Sequence, residues 1–253
     1  MGSIRLDRYL ADVHVGSRKQ IREFIRDGRV RVNGEVIAKT EHHVDTRSDT
    51  VSFDGKDLVY FKHRYILLNK PSGVVSATRD GLSKTVIDLL AGVPVKRLSP
   101  IGRLDKDTEG LLIITDDGEM AHALLSPARK VGKSYEVHLE KPATDEMLDK
   151  LRLGVDIGDE TFTRPAEATR LSADEEGRDV ILLTIHEGRF HQVKRMMHAV
   201  GNECVFLKRV GFGTLTLEDG LKTGMFRNLS GPEINSLKAL YKKQDDGAHE
   251  TDA

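Results

Sequence analysis

Residues 102–115 read GRLDKDTEGLLIIT, a cluster of charged residues bracketed by two glycines and followed at once by an apolar run. The run has the composition of a buried strand. Loop residues that a rigid strand holds in place are common positions for catalytic groups. Asp105 and Asp107 are therefore the first candidates for chemistry, although the same residues also fit an ordinary charged turn.

Further apolar and amphipathic segments surround this stretch. Strands are predicted at 65–68, 111–115, 134–139 and 180–185, and helices at 86–91, 119–125, 145–153 and 192–200. The connections are irregular, so the pattern predicts an α+β fold with a mostly antiparallel mixed sheet flanked by helices, not a doubly wound one. Composition divides the chain into a small domain at 1–60, a larger domain at 61–243 and an acidic tail at 244–253, which is expected to be disordered.

The small domain is predicted to contain a helix followed by a hairpin. Ser17 is a favourable N-cap for a helix over 18–27, and Gly28 suits its C-terminal end. Asn33-Gly34 is a strong signal for a two-residue hairpin turn.

Four cations on this helix form a basic stripe, which consists of Arg18, Lys19, Arg22 and Arg26. Such a stripe is the electrostatic footprint expected of phosphate contacts, and it also fits a solvated helix face. Helix, basic turn and hairpin together resemble, over about residues 4–50, the αL-type RNA-binding domain shared by a ribosomal small-subunit protein, some tRNA synthetases and several RNA-modifying enzymes. This resemblance implies RNA binding and says nothing about chemistry.

Charge and cysteine content exclude several classes of protein. The 253 residues carry 39 Lys and Arg against 40 Asp and Glu, and four of the acids lie in the tail, which leaves the rest of the chain at about +3. A single cysteine, Cys204, excludes an intrachain disulfide and a thiolate metal cluster. No apolar run approaches the ~18 residues that span a bilayer, and the residues near Met1 do not have the pattern of a signal peptide. We expect a cytoplasmic monomer that does not bind membranes.

A second polar cluster, EGRFHQVKRMMH, occupies residues 187–198. After its glycine the period becomes helical, with valine and methionines on one face and cationic side chains on the other. The cationic face fits either solvent or a surface that meets RNA and a buried carboxylate. The histidines have no zinc-site spacing with Cys204, and no His-Glu-x-x-His pattern occurs, so no metal site is expected.

Two residues invite competing interpretations. The Asp105 loop also suggests the nucleophile loop of haloacid dehalogenase-type phosphatases, but that loop follows its apolar strand, whereas here the strand comes afterwards. Tyr135 lies in the middle of a predicted strand, where a tyrosine is usually a packing residue. If it faced a cleft, it would be placed to stack on an extruded base.

Several motifs occur in the order found in RsuA-type pseudouridine synthases. They are Asn69-Lys70-Pro71-Ser72-Gly73-Val74, Gly-Arg-Leu-Asp-x-x-Thr-x-Gly-Leu-Leu at 102–112, Lys133-Ser134-Tyr135, Glu-Gly-Arg-x-His-Gln-Val-Lys-Arg-Met at 187–196, Leu207-x-Arg209-x-x-Gly211 and Gly224-x-x-Arg227-x-Leu229. The chain resembles this family over about residues 4–240. The sequences HQVK at 191–194 and LSP at 125–127 look closest to the branch that modifies small-subunit (16S) ribosomal RNA.

The resemblance implies isomerisation of uridine to pseudouridine, in which the N-glycosidic bond breaks, uracil turns and carbon 5 joins the ribose. It places the covalent carboxylate on Asp105. It implies that Arg103 fills the stack vacated by the flipped base and that Tyr135 stacks on the uracil, with a further part in removing the carbon-5 proton. Lys194 matches the basic position that pairs with the catalytic carboxylate, so a point-charge contact to Asp105 is expected.

The remaining expected RNA contacts are Arg189, His191 and Gln192, together with the basic stripe. No cofactor is implied. The expected partner is ribosomal RNA or a ribosomal subunit assembly intermediate, and not DNA. Two alternatives stay open: a synthase for large-subunit (23S) ribosomal RNA, and a non-catalytic RNA-binding protein of ribosome assembly.

Overall fold

The computed structural model describes residues 3–13, 15–58, 60, 63–95 and 97–242. It divides into two compact units, with the boundary between His63 and Arg64. The sequence places this boundary after residue 60. The acidic tail, expected to be disordered, lies outside the described residues.

The described residues of the first unit form two helices and six short strands. They are β1 (Ser3–Arg5), α1 (Leu6–Asp12), α2 (Arg18–Arg26), β2 (Val30–Val32), β3 (Glu35–Val36), β4 (His43–Asp45), β5 (Val51–Phe53) and β6 (Lys56–Leu58). Strands β3, β2, β5 and β6 form an antiparallel sheet in that order, and β1 pairs with β4. Fully buried side chains of both helices, among them Leu10 and Ile25, pack with the strands in one core.

Local signals of the first unit act as predicted. The Ser17 hydroxyl accepts from the Gln20 amide, and the Gln20 side chain accepts from the Ser17 amide, so a capping box starts α2. Asn33 and Gly34 have φ angles of 53° and 85°, the left-handed values that a two-residue turn of type I′ requires between β2 and β3.

The second unit contains the remaining elements. They are β7 (Tyr65–Lys70), β8 (Ser99–Pro100), β9 (Glu109–Thr115), α3 (Gly118–Leu125), β10 (Lys133–Leu139), α4 (Asp145–Leu153), β11 (Glu167–Arg170), β12 (Val180–Ile185), α5 (Gln192–Ala199), β13 (Cys204–Phe212), β14 (Leu215–Thr216), β15 (Phe226–Asn228) and α6 (Gly231–Lys242).

These strands form one mixed sheet in the order β11-β12-β10-β13-β9-β7-β15, with β14 beside β13 and β8 beside β9. Every pairing in it is antiparallel except that of β13 with β9. The predicted α+β fold is confirmed. Helices α4 and α5 contribute to the core on one face, while α3 and α6 contribute to a second core on the other. Because β9 is buried on both faces, its sequence is a continuous apolar run rather than an alternating one.

The prediction of a helix at 86–91 is wrong. The Asp88 carboxylate accepts from the amide and hydroxyl of Thr85, and the Leu90 amide donates to the Ile87 carbonyl, a three-residue spacing. The segment forms turns because side chain-to-backbone bonds compete with the helical ladder. Gly92, with φ 73°, ends it before a full helical turn can follow.

Gly110 lies where the parallel pair begins. It stands opposite Arg209 in the β9–β13 register and has a φ of 102°. A Cβ atom at this position would lie 2.2 Å from the Arg209 carbonyl oxygen. Only glycine allows the two backbones to approach this closely, and this approach places the loop at 102–108 beside β13.

Candidate active site

A cleft of about 610 Å³ opens in the second unit, within the size range of small-molecule and nucleotide sites. Its walls come from the loop at 102–108, from β10 and β13, and from the segment 185–194 that leads into α5. The two polar clusters of the sequence, far apart in the chain, therefore meet in one place.

Lys70 fixes the backbone of the loop at 102–108. Its ammonium group donates to the carbonyl oxygens of Asp105, Lys106 and Thr108 at 3.1, 3.2 and 2.8 Å, and to that of Pro71 at 3.0 Å. The side chain is fully buried, and burial lowers the Lys70 pKa to about 8. These bonds fix the backbone on which the candidate nucleophile stands. The motif at 69–74 was noted in the sequence, but this role was missed, since nothing local shows which carbonyls the lysine meets.

Ser76 holds the same loop from its other end. Its hydroxyl donates to the Leu104 carbonyl at 2.8 Å and accepts from the Leu104 amide at 3.0 Å. The loop backbone is thus fixed on both sides of Asp105, as precise placement of a reacting group requires.

The Asp105 carboxylate itself remains accessible. Its side chain is 30% exposed, and Oδ1 lies 3.5 Å from Nε2 of His191. His191 precedes α5 in a left-handed conformation with φ 47°, and its ring stacks on Phe190 with centroids 3.8 Å apart. The sequence predicts that His191 contacts RNA, and the structure places it in the cleft wall beside the candidate nucleophile.

The expected pairing of Lys194 with Asp105 is wrong. The Lys194 ammonium donates to both carboxylate oxygens of Asp107 at 2.6 Å. This ion pair lowers the pKa of Asp107 below its usual range. Lys194 follows His191 by three residues on the same face of the helix start, so the two side chains meet the two carboxylates of the loop separately. Asp107, the second acid that the sequence offers as a candidate for chemistry, is therefore the ion-pair partner of Lys194.

Tyr135 and Arg103 line the cleft, as their expected roles require. Tyr135 is 8% exposed and pairs across the sheet with Leu183 and Arg209. Arg103 is exposed, and within the described part of the chain its guanidinium has no hydrogen-bond or ion-pair partner. A cation without internal partners at the edge of a cleft is available to an incoming ligand.

Two expected RNA contacts have partners within the protein. Gln192 is 4% exposed, its side-chain oxygen accepts from the Arg189 amide, and its nitrogen donates to Glu187. Arg189 donates to the carbonyl oxygens of Thr161 and Phe162 at 2.7 and 2.8 Å. These bonds assign Gln192 to holding the turn before α5, which corrects the expected RNA contact, and they occupy most of the Arg189 guanidinium.

Lys133 and Arg209 also line the cleft, and the sequence assigned neither a role. Arg209 is 1% exposed, and its Nε donates to the Leu111 carbonyl at 2.7 Å. Lys133 donates to the Val131 carbonyl at 2.9 Å. Burial lowers the pKa of both groups, that of Lys133 to about 8.

The basic stripe of the first unit is exposed along α2, at Arg18, Lys19, Arg22 and Arg26. Arg26 makes an ion pair with its neighbour Asp27 at 3.3 Å. Elsewhere in the unit, Arg29 lies over the rings of Phe24 and Phe53 at 4.4 and 4.7 Å and pairs with Asp54. The stripe has the exposure that phosphate binding requires.

The described residues nowhere bring three or more His, Cys, Asp or Glu side chains together in a way that could hold a metal ion. In the same part of the chain, none of the helices combines the length and the apolar composition that a membrane span needs. Cys204 is partly buried, and burial raises the pKa of its thiol to about 12.

Comparison with known proteins assigns the site to a family. A model described as RNA pseudouridylate synthase matches residues 64–199, and the S4 domain model matches residues 4–51. An uncharacterized RNA pseudouridine synthase of Bacillus subtilis is 42% identical over 235 residues, which cover 92% of this chain and 98% of the relative. The chain belongs to the RNA pseudouridylate synthase family. The resemblance identified in the sequence is confirmed, for both the larger domain and the N-terminal RNA-binding domain.

Named relatives of this synthase fall into two classes. A ribosomal small subunit pseudouridine synthase A of Vibrio vulnificus is 40% identical, over 92% of this chain and 99% of the relative. A ribosomal large subunit pseudouridine synthase B of Bacillus subtilis is also 40% identical, over 93% and 96%. A crystal structure of a pseudouridylate synthase superposes with a TM-score of 0.63 at 33% identity, covering 92% of this synthase and 99% of that chain.

Proposed function

We propose that this synthase isomerises a uridine of small-subunit ribosomal RNA and that Asp105 is its nucleophile. The observation that carries the assignment is the difference between the two acids that line the cleft in the described residues. The Glu187 side chain is 12% exposed and is occupied by Gln192 and Arg189. The Asp105 carboxylate is 30% exposed, with its backbone held in place and its side chain open to the cleft.

The chemistry is an internal rearrangement. The carboxylate of Asp105 forms a covalent bond to the ribose or to the uracil as the N-glycosidic bond breaks. The detached uracil turns and its carbon 5 bonds to the ribose. The carbon-5 proton passes to solvent, N1 takes up one proton, and the bond to the Asp105 carboxylate breaks. The atoms balance without an oxidant or reductant.

The other cleft residues serve the flipped nucleotide. A base inside folded RNA has to leave its stack at a cost of about a few kcal/mol. The unpartnered guanidinium of Arg103 is available to enter the vacated stack, and the Tyr135 ring in the cleft wall is available to stack on the uracil. Lys194 neutralises Asp107 and so leaves Asp105 as the carboxylate that reacts.

Ribosomal RNA as the substrate is supported by the relatives of both classes and by the exposed basic stripe. The small-subunit target is supported by the sequences at 125–127 and 191–194. A large-subunit target is the second candidate, because a relative of that class is equally identical. The target class is therefore decided by experiment.

The first experiment measures tritium release from [5-³H]uridine-labelled small-subunit ribosomal RNA, because isomerisation expels the carbon-5 hydrogen. Asp105→Asn is expected to reduce release by at least about 10³-fold while RNA affinity stays within about twofold. Asp149→Asn, an exposed aspartate of α4 outside the cleft, serves as the matched control and is expected to behave as wild type.

Other outcomes contradict defined parts of the proposal. Release by the Asp105→Asn variant at the wild-type rate excludes Asp105 as nucleophile. Tritium release from large-subunit RNA and not from small-subunit RNA shows that the target lies in large-subunit RNA, the second candidate. Binding without release on free RNAs and on partially assembled subunits favours a non-catalytic assembly protein.

A further inference from the structure

Two cations in the cleft wall have no role in the proposed mechanism. Lys133 of β10 is partly buried, and Arg209 of β13 is 1% exposed. Lys133 donates one hydrogen bond, to the Val131 carbonyl, which leaves two ammonium hydrogens unused. Arg209 donates from Nε to the Leu111 carbonyl, but its buried Nη2 atom has no hydrogen-bond partner.

Both charges lie near the same aromatic ring. The Arg209 guanidinium lies 5.2 Å and the Lys133 ammonium 5.7 Å from the centre of the same ring, that of Phe212. After desolvation, the neighbouring Arg209 charge is the next cause that lowers the pKa of Lys133, and the more weakly acting Glu187 carboxylate raises it. The arrangement places two like charges in a partly dehydrated wall, which is unfavourable unless an opposite charge joins them.

Two other cations near the cleft, unlike Lys133 and Arg209, have carboxylate partners. Lys194 is neutralised by Asp107, and Arg189 by Glu187 and Asp159. For Lys133 and Arg209, the described part of the chain supplies no carboxylate within ion-pair distance. An unpaired buried donor costs free energy, and its usual explanation is a ligand or a functional role.

We propose that Lys133 and Arg209 form an anion subsite that binds a phosphate group of the target nucleotide. The inference rests on the proposed function for the identity of the ligand, since uracil and ribose are neutral and the phosphodiester is the anionic part of a nucleotide. The two unused ammonium hydrogens of Lys133 are available as donors, and the buried Arg209 guanidinium adds positive potential beside them. Charge-assisted bonds to phosphate oxygens are the strongest that an ammonium group forms. Such bonds position the nucleotide and carry no sequence information.

The test compares uridine with uridine 5′-monophosphate and uridine 3′-monophosphate as ligands of the full-length chain, by NMR titration. One of the two monophosphates is expected to bind at least about tenfold more tightly than uridine, and which one does so identifies the phosphate. Lys133→Gln is expected to abolish the preference and Lys133→Arg to retain it. Lys150→Gln, an exposed lysine of α4 paired with Glu146, is the matched control and is expected to keep it.

Arg209→Gln tests the second cation, with thermal unfolding as the check that the variant folds. If it does not fold, the Lys133 series decides alone. Equal affinity for uridine and both monophosphates overturns the subsite, as does a preference that survives Lys133→Gln. Tritium release by the wild-type preparation is measured separately. Tritium release without a binding preference for either monophosphate contradicts the subsite only. A binding preference without tritium release contradicts the proposed function only.

Discussion

Asp105 and Asp107 lie two residues apart on one loop, yet the fold gives them different partners. His191 faces Asp105 at 3.5 Å, whereas Lys194 contacts Asp107 at 2.6 Å. Side chains three residues apart at a helix start lie on the same face. The spacing of His191 and Lys194 therefore allows each of them to face a different carboxylate of the loop.

The Lys194–Asp107 ion pair predicts non-additive effects on turnover. If Lys194 acts through Asp107, Lys194→Met and Asp107→Asn are each expected to lower kcat about tenfold, and the double variant no further. Lys194→Arg is expected to restore most of the activity, because charge is kept. The measurement is kcat and KM by tritium release for all four variants. Reductions that multiply in the double variant show that Lys194 acts on the substrate or on Asp105 instead.

At Gly110, a single methyl group is expected to disrupt the second unit. Gly110→Ala places Cβ 2.2 Å from the Arg209 carbonyl oxygen and forces alanine to a φ of 102°. We expect a decrease of more than about 3 kcal/mol in the free energy of unfolding, measured by urea denaturation. The control Gly118→Ala meets nothing within 4 Å at the start of α3 and is expected to be neutral or slightly stabilising. Equal stability of both variants contradicts the close approach.

At the scale of elements, the helices that sequence predicts best are those with both an amphipathic stripe and a cap. Helix α4 covers the predicted 145–153, because Thr144 caps its first turn and three of its apolar residues are buried. The helix predicted at 86–91 has apolar residues too, but side chain-to-backbone bonds divert it into turns. Local competition of this kind is decided by geometry that a hydrophobic pattern does not contain.

Helix α6 is joined to the sheet by its first turn. Glu233 accepts from the amide and hydroxyl of Ser230 at 2.7 Å, a capping box, and from Arg227 of β15 at 2.7 Å. These hydrogen bonds lower the Glu233 pKa to about 2.

The pH dependence of α6 follows from this shift. A folded pKa below the ordinary value of 4.5 stabilises the folded state fully above pH 4.5, and the contribution disappears as the pH falls toward about 2. Glu233→Gln is expected to reduce the free energy of unfolding by about 1–2 kcal/mol at pH 7 and by less at pH 3. Urea denaturation at both pH values measures the difference. The exposed control Glu175→Gln is expected to show none, and a pH-independent deficit in Glu233→Gln contradicts the assignment.

At the scale of the whole molecule, RNA affinity and chemistry are expected to reside in different units. Among the described residues, Arg26 is the one cation of the exposed stripe that makes an ion pair, with Asp27. The candidate nucleophile lies in the cleft of the second unit. Cations that neutralise phosphates contribute to affinity through counterion release, which does not alter the reacting groups.

Removal of two cations from the stripe tests this division. Arg18→Ala combined with Arg22→Ala is expected to weaken RNA binding and to lower the slope of log affinity against log salt by about 0.7–0.9 for each phosphate that is no longer neutralised. Turnover at saturating RNA is expected to stay unchanged. Filter binding across a salt series and tritium release measure the two quantities, with Lys150→Ala of α4 as control. An unchanged salt slope excludes the stripe from the RNA interface.

The sequence alone determined the fold class, the family, the hairpin turn and most helices and strands, because hydrophobic period, caps and turn residues act over a few residues. It also predicts Asp105 as the candidate nucleophile, since the glycine-bracketed motif marks the loop. Which charges meet depends on the tertiary structure: Lys194 meets Asp107, and Lys70 meets the loop carbonyls. Arg209 meets no acid among the described residues. The bonds that these side chains make join residues up to 98 positions apart. Their partners depend on strand register and backbone approach, so no local pattern encodes them.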